Sequence, residues 1–248
     1  MLALSACGDA DTGSGALERL RAGGDCPACD LSGQNLAGLV LDGADLTGAK
    51  LIAADLSRTE LKNAKLDGAD FSGAQLRGAT IRGGTLSGAK FVGANLREAS
   101  VREVTFAAVD FTGADLTAAK LVAIKFDNAK FNDAVFEGAT IEQAQPADGA
   151  SLSAANFAAA DLREARLIAV SFVGANFTGA DFTRASITES SFRAGSFGQA
   201  QFAEAQLANV DFGDCDLTGA RFVGAILRNV ETGRAITTDA IGLIDVSR

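Results

Sequence analysis

The residue types most able to do chemistry are few in this chain. Its 248 residues include no His, Trp or Tyr, two Pro and four Cys. Two of the cysteines stand close together in Cys26-Pro27-Ala28-Cys29. A redox-catalytic C-x-x-C belongs in a βαβ setting, and no strand–helix–strand pattern follows this one. A zinc site needs about four ligands, whereas Cys7 and Cys215 lie far off in sequence. Asp, Glu, Lys, Ser and Thr are plentiful, yet no nucleophile–base pair stands out, and Gly83-Gly84 lacks the Lys of a phosphate-binding loop. These observations point away from an enzyme, a metal centre and a resident cofactor.

What must position the cysteines is a repeat. A large apolar residue recurs at every fifth position from Leu31 to Ile141, and again from Leu152 to Leu227. With that residue numbered i, position i−2 is mostly Ala (Ala44, Ala49, Ala54) and i+2 is often Gly (Gly43, Gly48, Gly68). A period of five matches neither the 3.6 of a helix nor the 2 of a strand. It suits a chain that turns a corner every five residues, with i and i−2 pointing inward and the rest facing solvent. In this frame Cys26 takes a large-residue position and Cys29 an Ala position, so both point inward. They form either a local disulfide, in an oxidising compartment, or two buried thiols. Cys215 falls at i−2 and reads as a small buried hydrophobe. Hydrophobic residues make up 48% of the chain but are dispersed; no run approaches the ~18 residues of a membrane span.

Ala44-Asp45-Leu46-Thr47-Gly48 and Ala69-Asp70-Phe71-Ser72-Gly73 carry the motif in full, and Ala114-Asp115-Leu116-Thr117 and Ala180-Asp181-Phe182-Thr183 carry most of it. The motif resembles the consensus A-(D/N)-(L/F)-(S/T)-G of the pentapeptide-repeat family, over about residues 26–231. The resemblance implies an all-β fold, a right-handed quadrilateral β-helix with four pentads per coil and about ten coils at ~4.8 Å each. Residue types at twenty-residue steps agree. Leu41, Leu61, Ile81, Val101, Leu121 and Ile141 include no Phe, whereas Leu31 and Leu51 are followed by Phe71, Phe91, Phe111 and Phe131. At the exposed i−1 position Asp30, Lys50, Asp70, Lys90, Asp110 and Lys130 alternate in sign. On one face they form a charge ladder, each residue meeting opposite charge above and below, with a structural role in fixing register. The frame slips once, over residues 142–151, because Ile141 to Leu152 is two pentads plus one residue. Pro146 and Asp148-Gly149 supply turn chemistry there, and a one-residue bulge is expected.

The two ends read differently. Residues 1–15 are a flexible tether or remnant of a signal region, and residues 16–25 a short helical cap ended by Gly23-Gly24. Residues 232–248 leave the pattern; Ile236, Ile241, Leu243 and Ile244 are expected to cap the last coil or to seal a C-terminal homodimer. Leu4-Ser5-Ala6-Cys7 resembles the lipobox of bacterial lipoproteins, where a small residue precedes the lipidated cysteine, although only six residues precede Cys7. The resemblance implies membrane anchoring through Cys7, in the bacterial periplasm or at the outer membrane. With its diffuse net charge of −9, the chain reads as a non-enzymatic scaffold that binds an unknown protein partner and no nucleic acid directly. The alternative, carried by the family resemblance, is a cytoplasmic DNA mimic that binds DNA gyrase. The 22 Lys and Arg interleaved with 31 Asp and Glu count against it.

Overall fold

The computed structural model of the protein describes residues 12–127, 129–131, 133–142, 145–146 and 156–243. Most pentads close on a turn in which the N–H of i+3 donates to the carbonyl of i, as from Ala49 to Leu46 at 3.0 Å. The turn requires a left-handed residue at i+2. Gly48 supplies it at φ 66°, and Ala53 and Ala118 accept the same conformation at 53° and 56°. The remaining backbone donors reach neighbouring coils: Leu46 N–H to Lys65 O (2.9 Å), Gly48 N–H to Asp67 O (2.8 Å) and Lys50 N–H to Cys29 O (2.8 Å). This leaves the N–H of i+1, and the Asp at i−1 takes it: Thr47 N–H donates to Asp45 Oδ1 at 3.1 Å. Ser72, Thr112, Thr117 and Thr183 repeat the contact with Asp70, Asp110, Asp115 and Asp181. Every donor of such a pentad has a partner, which is why the motif tolerates stacking.

The product is a parallel β-solenoid with four bridge columns per coil, seen in Asp30↔Lys50, Asn35↔Asp55, Val40↔Glu60 and Asp45↔Lys65. The first column climbs ten steps from Asp30 to Ile236. Where pairing is continuous it forms short strands: β1 (Glu60–Lys62), β2 (Thr80–Arg82), β3 (Ser100–Arg102), β4 (Thr105–Ala107), β5 (Lys120–Val122), β6 (Lys125–Asp127), β7 (Thr140–Glu142), β8 (Gln145–Pro146), β9 (Arg166–Ile168), β10 (Ser186–Ser191), β11 (Gln206–Asp211) and β12 (Ile226–Glu231). Nine of them make one parallel sheet eight turns deep, β1-β2-β3-β5-β7-β9-β10-β11-β12, and β4-β6-β8 make a second.

The core is a set of side-chain columns. Phe71, Phe91, Phe111 and Phe131 stack with ring centroids 4.7–5.0 Å apart, as their twenty-residue spacing requires. The same column continues through Phe157, Phe177 and Phe197. The aliphatic column likewise passes from Ile141 to Leu167 and Ile187.

These continuations correct the expected one-residue bulge. Gln145 still pairs with Lys125 at the normal step, but Lys130 pairs with Asn156, Val135 with Asp161 and Thr140 with Arg166. The coil crossing the slip is therefore six residues longer than its neighbours, a whole pentad plus one. In a five-residue frame an insertion of six leaves the same trace as an insertion of one. The extra length falls between Pro146 and Asn156, and residues 147–155 lie outside the described residues.

The C-terminal expectation is corrected as well. The coil goes on past the end of the sequence pattern, with turn bonds from Ala235 to Thr232 (2.9 Å) and from Ala240 to Thr237 (3.1 Å). Thr232 and Thr237 occupy the large-residue positions, because bonds such as Ile236 N–H to Cys215 O (2.8 Å) hold the rung without an apolar anchor. Ile236 and Ile241 sit at i−1 and point outward, so they do not cap the stack, whereas Leu243 packs against the core as expected. Ile244 lies outside the described residues.

Candidate functional site

At the N-terminal end, α1 (Ser14–Arg21) buries Ala16, Leu17 and Leu20 against the core. Its C-terminus closes with Gly23 N–H on Leu20 O (2.9 Å) and Gly24 N–H on Arg19 O (3.0 Å), the double bond of a Schellman motif with Gly23 at φ 79°. The helix of the expected cap begins two residues earlier than the range read, at Ser14. Beneath it lie Cys26 and Cys29, both buried, with Cα atoms 5.4 Å apart and sulfurs at bonding distance. Cys26 Sγ faces the Ala16 carbonyl of α1 at 3.8 Å, and Arg19 Nη1 lies 3.9 Å from Cys29 Sγ. Cys7 lies outside the described residues.

The charge ladder has the expected register, Asp30↔Lys50↔Asp70↔Lys90↔Asp110↔Lys130. Its ion pairs are more selective than the alternation suggests. Lys90 Nζ meets Asp70 at 3.8 Å and Lys130 Nζ meets Asp110 at 3.8 Å, each on the preceding coil. The carboxylates explain the choice. One oxygen of Asp70 and of Asp110 is already held by the N–H and hydroxyl of Ser72 or Thr112. Only Oδ2 is left to a lysine, so the ladder resolves into Asp–Lys pairs.

The same turns set the acidity of these groups. The Thr47 hydroxyl, then its N–H, then Lys65 hold Asp45 below the usual carboxylate range. Burial works to raise Asp110, but the Thr112 hydroxyl and N–H and Lys130 outweigh it and leave it lowered. Asp115 behaves alike through Thr117 and Arg97. These carboxylates are therefore ionised acceptors for their own corners, the opposite of what proton transfer near neutral pH requires.

Further ion pairs cross the corners, and the sequence reading missed them. Arg77 reaches Glu98 at 2.7 Å and Arg82 reaches Glu103 at 3.0 Å. Arg163 holds Asp161 (2.6 Å) and Glu137 (3.6 Å), and Arg184 holds Glu204 (3.0 Å) and Glu164 (3.9 Å). For Arg77 and Arg82 the missed signal was a separation of twenty-one, which places i+1 of one coil beside i+2 of the next. Arg184 meets both its partners at the plain coil step, and Arg163 meets Glu137 across the long coil and Asp161 within its own pentad.

Cys215 is buried, with Sγ 2.9 Å from the Phe192 carbonyl, and burial pushes its thiol up to about 12. It is protonated and enclosed, which makes it a poor nucleophile. Among the described residues, no group of three or more His, Cys, Asp or Glu is placed to hold a metal ion, and no helix is long and apolar enough to cross a membrane. A gap in the core between Phe106 and Phe172 has a wholly apolar wall, which gives a substrate nothing polar to orient on. Four large apolar side chains, Val223, Ile226, Ile236 and Ile241, stand exposed on the last coil. Directly below them in register, Gln206, Asp216 and Arg221 precede the three isoleucines.

Comparison with known proteins agrees with this architecture. Residues 25–62, 44–83, 54–91, 85–121 and 110–145 match a family described as pentapeptide repeats (8 copies), and residues 148–231 match a pentapeptide repeat region. No curated protein sequence matches the chain. Among solved structures it is similar to HetL from the cyanobacterium Nostoc sp. strain PCC 7120, a pentapeptide repeat protein involved in heterocyst differentiation regulation. Identity is 24%, with 92% of this chain and 94% of that chain covered and a TM-score of 0.45. It is also similar to trypsin-treated QnrB1, a plasmid-mediated fluoroquinolone resistance protein, at 22% identity over 80% of this chain and 89% of that chain, TM-score 0.48. These similarities concern the fold alone.

Proposed function

The chain belongs to the pentapeptide-repeat family, and on that footing we propose that it is a non-enzymatic scaffold tethered to a bacterial envelope membrane through a lipidated Cys7. Its rigid outer faces bind a protein partner. One observation carries this reading: the groups able to do chemistry are engaged in holding the stack. Carboxylates accept their own turn N–H groups, cations pair between coils, and Phe rings fill the axis. What remains for recognition is a flat, regular exterior of the kind solenoids offer to proteins. In an envelope compartment Cys26 and Cys29 are bonded, which suits their position at the membrane-proximal end of the sequence.

The DNA-mimic reading is weaker on the same observation. Duplex DNA carries one negative charge per ~1.7 Å of axis, whereas here Arg and Lys are interleaved with the carboxylates on the faces. The net charge of −9 also argues against direct binding of nucleic acid.

The test is mass spectrometry of the mature N-terminus from native cells carrying the gene with its upstream region. Acylated Cys7 in the membrane fraction is expected. An unmodified Met1 in the soluble fraction would remove the tether from the proposal and return the cytoplasmic reading to parity.

A further inference from the structure

The Cys26–Cys29 pair is the one chemistry-bearing motif that repeat geometry does not require, since Leu and Ala would satisfy the same two positions. Its setting is specific. The turn bond of its pentad, Cys29 N–H to Cys26 O, is 3.4 Å long, against 3.0 Å for Gln34 to Leu31 in the next pentad. Both sulfurs face α1. Both ends of α1 are fastened to this same segment: Gly13 N–H donates to Asp30 O at 2.9 Å and Thr12 bridges Asp30, while Gly24 leads directly into Asp25 and Cys26. A helix of eight residues is too short to persist unaided, so its helicity depends on that seat.

We propose that the Cys26–Cys29 bond is a redox latch for the N-terminal cap. Oxidised, it holds the corner on which α1 rests. Reduced, it lets α1 leave the first coil while the stack beyond stays folded. The step is a two-electron thiol–disulfide exchange. A dithiol reductant attacks one sulfur as its thiolate, the S–S bond breaks and a mixed disulfide forms. The second thiol of the reductant then closes its own disulfide and releases Cys26 and Cys29 as two thiols carrying two protons. The freed sulfurs must part to van der Waals separation inside a packed site, and the element they press on is α1. Because both sulfurs are enclosed, exchange waits on transient lifting of the cap. Release of α1 uncovers the first coil, whose unpaired edge is then open to an added strand.

The inference rests on the reading that the pair is bonded in the native protein, and the experiment separates the two. Thiols of the denatured, unreduced full chain are alkylated and counted first; two alkylated cysteines among Cys26 and Cys29 would overturn both the bond and the latch. Amide exchange is then compared with and without dithiothreitol. The latch predicts at least tenfold faster exchange over Ser14–Arg21 on reduction, with the coils beyond Leu51 unchanged. Equal protection of α1 in both states would overturn it, and so would a uniform loss along the chain. The double variant Cys26→Leu with Cys29→Ala restores the pentad pattern. It should keep α1 protected whether or not dithiothreitol is present; sensitivity there would assign the effect to the reagent and refute the latch.

Discussion

In a pentad that carries Asp before its large residue the backbone leaves one N–H without a backbone partner, the one following the large residue, and this group explains that Asp. The sequence pattern shows Asp45 and Thr47 only as two exposed residues. Their bond across Leu46 was not legible, because a period of five says which side chains face outward and nothing of what they touch. The glycines were more readable, and they are not equivalent. Gly88 has φ 68° and open space where a Cβ would stand, whereas a Cβ on Gly84, at φ 73°, would lie 2.1 Å from the Ala64 carbonyl oxygen of the coil below. Gly88→Ala should cost roughly 1 kcal/mol, the penalty of a left-handed non-glycine. Gly84→Ala should cost at least twice as much, since backbone must move. Denaturant melts of the two variants check this, and equal costs would mean that the coils are spaced differently there.

Columns are the natural elements of this molecule, more than strands. Their composition made the twenty-residue step legible before any coordinates, because Phe and aliphatic residues segregate. The long coil was not legible from the frame alone, since counting by fives cannot tell six from one. It was legible in the columns: only a step from Phe131 to Phe157 and from Ile141 to Leu167 keeps both types in line. The ladder was legible as register but not as pairing, because the turn bonds that occupy one carboxylate oxygen were unseen. This contrast predicts how substitutions behave. Phe111, stacked between Phe91 and Phe131 and buried, should on change to Asp lose about 5 kcal/mol or more, the loss of a core ring plus a buried unpaired charge. Lys90→Glu should stay within about 1 kcal/mol, because its pair with Asp70 is half exposed. Comparable losses from both in the same unfolding assay would contradict the assigned faces.

At the scale of the whole molecule the two ends differ in kind. The N-terminal end is covered by α1, whose apolar positions at Leu17 and Leu20 were readable from sequence. The C-terminal end carries outward isoleucines on a coil held by backbone bonding and a few apolar contacts, those of Val230, Ala235 and Leu243. That coil was invisible to the pattern because Thr232 and Thr237 stand where large residues were sought. Columns, pairs, cap and outward isoleucines all depend on one continuous register through the slip, and that register is open to direct test. Two cysteine pairs are introduced separately, Lys130→Cys with Asn156→Cys and Lys130→Cys with Ser151→Cys, and each protein is oxidised under native conditions and mapped by peptide mass. Adjacent parallel rungs stand ~4.8 Å apart, within reach of a disulfide. The first pair should bridge and the second should not. Bridging between positions 130 and 151 in place of 130 and 156 would show a one-residue slip, and the continuous columns described above would then be wrong.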